Sequence, residues 1–183
     1  MKRTVLIALV AIAAIVLAYF FFLNPGAIQF GNPAQFTDFT GVDQNIFLTY
    51  RDAAGFQIAY PQFYEIETFP AESPVKVRFS ASLAGVPEVM QIGVLNDSVE
   101  SLRSAALLNL TLEERSTLVE GQAFGARIMR YQMKSNVGGL FVQTAIFTCP
   151  SFNAALTALI PASAKDDLNA ANYMASTFKC PAK

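Results

Sequence analysis

The sequence predicts an α+β fold: a central antiparallel β-sheet flanked by helices, behind one N-terminal transmembrane helix. Three observations predict it. Val75, Val77, Phe79, Ala81 and Leu83 alternate with Lys76, Arg78, Ser80 and Ser82, the period-two pattern of a strand with one buried and one wet face. Val99, Leu102, Ala106 and Leu110, and again Leu168, Ala171, Ala175 and Phe178, recur at helical spacing. Finally, Val5–Leu23 is a run of nineteen uncharged residues, thirteen of them Leu, Ile, Val or Phe.

As a helix, that run covers roughly 28 Å, close to the hydrocarbon thickness of a bilayer. Lys2 and Arg3 precede it and the next cation is Arg51. The asymmetry predicts a single-pass protein of the cytoplasmic membrane, its N-terminus in the cytoplasm and its C-terminal domain periplasmic or equivalent. A cleaved signal peptide competes, but its apolar region spans about 7–15 residues and ends in a small-x-small site. Here the run is longer, and Pro25-x-Ala27 is a poor match. A pilin-like start would place an acidic residue inside the run, and none is there. Ala8, Ala11, Ala14 and Ala18 share one helix face, a candidate contact for other integral membrane proteins because small residues let helices approach closely in lipid. Alanine is also simply common in such helices, which is the plainer reading.

The expected organisation is an anchor at 4–23, a connector at 24–45 and an external domain at 46–183. The connector is rich in Gly, Pro, Asn, Gln and Thr, yet Phe30, Phe36 and Phe39 suit a lipid or protein surface better than water. Phe47–Arg51 and Phe56–Tyr60 read as strands around an Asp52–Gly55 turn, with Pro61 ending the second. Val75–Leu83 then pairs with Val89–Leu95. Asp97-x-x-Glu100 resembles a capping box opening a helix over about 98–110. Arg115–Glu120, Ala123–Lys134, Leu140–Thr148 and Ala154–Ile160 read as strands, with a turn at Ser135–Gly139. The last helix covers about Ala164–Phe178, capped by Ser163, with Asp166 and Asp167 in its favoured first turn.

Composition narrows the function. Beyond the anchor, eleven basic residues face fourteen acidic ones, a net charge near −3 that gives no reason to expect nucleic acid. The absence of His removes the commonest metal ligand and general base, and two Cys cannot build a four-ligand zinc site. No G-x-S-x-G is present. Glu113-Glu114 and Asp166-Asp167 read as solvated surface, and Gly121-x-x-x-Gly125 and Gly138-Gly139 as turns or bulges rather than phosphate loops. No catalytic residue, metal or cofactor is expected, and the chain does not read as an enzyme. Cys149 and Cys180, in an extracytoplasmic domain, are expected to form a disulfide stabilising the fold by about 3–4 kcal/mol. Arg127, Arg130 and Lys134 give one strand a basic tint that suits an acidic partner or anionic headgroups of the lipid bilayer, although an ordinary exposed strand explains them as well.

The phrases Tyr50-Arg51-Asp52, Gly55-Phe56-Gln57-Ile58 and Tyr60-Pro61 near the domain start, with Ser176-Thr177-Phe178-Lys179 at its end, together resemble the PsbP-like family. The resemblance covers about residues 46–180 and rests on short motifs. It departs at the family's usual Trp after the Pro, where Phe63 and Tyr64 stand, and at the Cys pair. It implies an α/β/α sandwich and a non-enzymatic accessory, stabilising or assembly role in a larger membrane complex, photosynthetic or otherwise bioenergetic. A tethered module that holds a small apolar ligand or lipid between sheet and helix is the alternative.

Overall fold

The computed structural model describes residues 29–30, 39–83, 85–101, 104, 119–123, 126–135, 138–164 and 167–181. For 29–30, 83, 86, 119–123, 126–135, 138–140 and 162 it describes the backbone alone. The expected anchor at 4–23 lies outside these residues, and among the described ones no helix is long and apolar enough to cross a membrane.

The alternation read at Val75–Leu83 produces the strand it predicts, here β5. It belongs to an eight-stranded, almost wholly antiparallel sheet. The strands are β1 (Gln29–Phe30), β4 (Glu65–Thr68), β5, β6 (Val86–Leu95), β7 (Val119–Ala123), β8 (Ala126–Ser135), β9 (Gly138–Thr148) and β10 (Asn153–Pro161), in the order β1-β7-β8-β9-β10-β6-β5-β4. A second sheet is the hairpin of β2 (Phe47–Arg51) and β3 (Gln57–Pro61). The last helix is α1 (Asp167–Thr177).

Register places the core. Phe79 on β5 lies opposite Met90 on β6, Met90 opposite Ala158 on β10, and Ala158 opposite Gln143 on β9. The neighbouring row runs Val77, Ile92, Leu156 and Ala145. Partners directly opposite share a face, so these rows form one continuous surface. Leu168, Ala171, Met174 and Ala175 of α1 and Phe56, Ile58 and Tyr60 of the hairpin cover it. Phe79, Met90 and Met174 are wholly buried at this contact. Val142 and Ile146 are also buried although they alternate with Gln143 and Ala145, so β9 is covered on both faces.

Several elements differ from expectation. Gln29–Phe30, in the connector, pairs in parallel with β7, and Phe39 packs edge-on against Tyr173 of α1. β4 was not anticipated because Glu-Ile-Glu-Thr is short and its Ile66 is exposed. β7 runs on to Ala123, so Gly121 sits inside a strand, opposite Ile128. The predicted capping box shifts by one residue: Ser98 Oγ accepts from the Ser101 N–H at 3.1 Å, and helix begins at Val99. Most of that helix, to Leu110, lies outside the described residues. Ser163, the expected cap, belongs to a 3-10 turn at Ala162–Ala164, and α1 is described from Asp167.

Candidate functional site

The two ends of α1 carry the polar chemistry. At its start, Glu88 of β6 faces inward, two positions before Met90, and is wholly buried. The Tyr64 hydroxyl donates to Glu88 Oε2 at 2.8 Å, and the Asp167 carboxyl lies within reach. Among the described residues Oε1 finds no donor, because a second carboxylate offers only lone pairs. Burial, reinforced by Asp167, pushes the Glu88 carboxyl up to about 7, although the Tyr64 hydrogen bond pulls the other way. Burial and the bond to Glu88 hold the Tyr64 phenol well above its usual range. A protonated Glu88 can donate to Asp167, which resolves the orphaned oxygen. Asp167 is therefore not plain solvated surface. One turn along, Gln143 Nε2 donates to Asn172 Oδ1 at 2.9 Å, both residues being buried.

At the other end, the chain leaves α1 and folds against β3. Lys179 and Gln57 exchange backbone hydrogen bonds of 3.0 and 2.9 Å. The Ala59 N–H donates to Thr177 Oγ1 at 2.9 Å, and that hydroxyl donates in turn to the Met174 carbonyl. Phe178 turns inward and stacks on Phe147 at 4.1 Å and on Phe56 at 5.6 Å. The expected disulfide is present: Cys149 and Cys180 are joined, tying this segment to the end of β9. Gly55 completes the fit. Its φ of +91° suits glycine, and a Cβ there would lie 3.1 Å from the Pro181 side chain.

Above this junction a groove of about 540 Å³ opens between the hairpin and α1. Arg51, Gln57 and Lys179 line one end, Thr49 and Ala59 the floor, and Phe47 against Tyr173, at 4.7 Å, the other end.

The remaining sequence candidates are spread out. Arg127, Arg130 and Lys134 lie on β8, in register with Ile146, Gln143 and Gly139. Ala8, Ala11, Ala14 and Ala18 lie outside the described residues. Sequence reasoning missed Glu88 and the groove. The signal for Glu88 was its parity with Met90 and Ile92, visible once β6 is begun at Val86 rather than Val89. Among the described residues no group of three or more His, Cys, Asp or Glu could hold a metal ion.

No family model and no curated protein matches this sequence. Among solved structures the chain is similar to the solution structure of cyanobacterial PsbP (CyanoP) from Synechocystis sp. PCC 6803. The identity is 13%, over 76% of this chain and 95% of that one, with a TM-score of 0.49. It is also similar to a crystal structure from Bacteroides thetaiotaomicron, at 11% identity over 75% of this chain and 48% of that one, with a TM-score of 0.47.

Proposed function

We propose that this chain is an extracytoplasmic accessory domain, held at a membrane by its N-terminal apolar run, that stabilises or helps assemble a larger membrane protein complex of the bioenergetic class without chemistry of its own. The observation that carries the reading is the junction of β3 with the end of α1. The phrases that resemble the PsbP-like family stand far apart in sequence, yet Phe56 stacks on Phe178 and Gln57 pairs with Lys179. They are parts of one structural unit, as motifs of common origin should be. The Cys149–Cys180 bond supports an oxidising compartment. The cations Lys2 and Arg3 before the apolar run support the same side of the membrane. Function carried over from a resemblance is analogy, and it takes its test from the partners.

The full chain, tagged at its C-terminus and isolated from native membranes in mild detergent, should co-purify stoichiometrically with integral membrane proteins identified by mass spectrometry. Leu at Ala11, Ala14 or Ala18 should weaken that association. A mature chain that begins near Ala27 and is released by salt alone would overturn the reading.

A further inference from the structure

Three strand segments run side by side at the open end of the groove. Arg51 and Gln57 are register partners in the hairpin, and Gln57 is the bridge partner of Lys179. Directly opposed residues share a face with Cβ atoms about 5 Å apart. Arg51, Gln57 and Lys179 therefore form one lateral row, cation–amide–cation, with the Cβ atoms of the two cations roughly 10 Å apart and all three residues lining the same groove. Arg51 and Lys179 are exposed, and among the described residues neither is ion-paired. Two like charges held across a neutral donor leave a place for an anion between them. The row is rigidly supported, because Lys179 is flanked by Thr177, which accepts from Ala59, and by Cys180, fixed to Cys149. Beyond the row the floor narrows to Ala59 and Thr49, and the far wall is the Phe47–Tyr173 aromatic pair.

We infer that this groove binds a compact organic anion: a carboxylate or phosphate head seated over Gln57 between Arg51 and Lys179, with an apolar body against Phe47 and Tyr173. Its volume, about 540 Å³, is that of a small-molecule site rather than of a protein docking face. The inference is independent of the accessory role, since a subunit of a complex and a free domain could both carry such a site.

The test is isothermal titration of the full chain in detergent with phenyl phosphate, phenylacetate, inorganic phosphate and the neutral benzyl alcohol. Saturable binding of phenyl phosphate or phenylacetate is expected, weakening as salt rises, with inorganic phosphate weaker and benzyl alcohol silent. Arg51→Gln and Lys179→Gln should each reduce affinity about tenfold, the scale of one charged hydrogen bond, with Arg51→Lys recovering part of the loss. Arg78→Gln, which removes an equal charge at the distant Glu67 pair, should leave affinity unchanged. Thermal unfolding of each variant shows that it is folded. No heat from either aryl anion overturns the inference, as does binding to which the double Arg51→Gln, Lys179→Gln variant is indifferent.

Discussion

The two ends of α1 solve opposite problems with the same materials. At its start, Glu88 and Asp167 are brought together behind Tyr64, and the acid is wholly buried. At its finish, Arg51 and Lys179 are spaced by Gln57 and left open to water. Like charges pressed together in the interior are held in check by a proton, so that end couples stability to pH. Like charges held apart at the surface persist as charges, so that end is available to something outside. Burial, more than residue type, decides which of the two a charged pair becomes.

The largest expected effect breaks the open end. Cys149→Ser or Cys180→Ser, or reduction of the wild type, should cost about 3–4 kcal/mol in denaturant unfolding, the scale for a loop closed over a sequence separation of 31. The same change should weaken aryl-anion binding by no more than Lys179→Gln does, about tenfold, because Lys179 loses one tether but keeps its backbone pairing with Gln57.

The closed end should show itself in pH. The folded carboxyl of Glu88 titrates near 7 against an ordinary value of 4.5. Below about 4.5 both the folded and unfolded states hold the proton and this group contributes no slope. Between the two values the unfolded chain has released it and the folded one has not, so stability falls as pH rises from about 4.5 through 7, by on the order of 1–3 kcal/mol. Unfolding curves at intervals across that window should give this negative slope, and Glu88→Gln should flatten it. Tyr64→Phe sharpens the point: it removes the hydrogen bond that favours ionised Glu88. It should destabilise by about 1–3 kcal/mol and extend the upper end of the slope to higher pH.

Gly55→Ala comes next, at about 1–2 kcal/mol, from a φ of +91° and the crowding of Pro181. A smaller loss of aryl-anion affinity should accompany it, since Pro181 is two residues from Lys179. The smallest effect is at the exposed Arg78–Glu67 pair, 2.8 Å apart, where Glu67→Gln should change stability by under about 1 kcal/mol in a urea titration.

How far the sequence disclosed these features follows from the range of the interactions that build them. β5 was legible to the residue because alternation is local: Val77 and Phe79 are buried where the pattern says. The disulfide was legible because two cysteines leave one intramolecular pairing. Glu88 was not, since a carboxyl after Pro87 reads as a strand boundary until the inward parity of Met90 is imposed on it. The cation row was still less visible. Arg51 and Gln57 belong to one hairpin, but Lys179 joins them through a bridge whose partners lie at opposite ends of the domain. No local pattern records that.

Gln29–Phe30 pairs in parallel with β7 at one margin of the sheet. Six residue steps separate Leu23, the end of the apolar run, from Gln29, a leash of at most about 22 Å. With that run held in a bilayer, as proposed, the β1 margin of the sheet would ride close above the headgroups. The β4 margin, seven strand spacings away, would stand roughly 34 Å across the sheet from it. On that proposal, so short a leash would set which rim of the protein a membrane-embedded neighbour meets first.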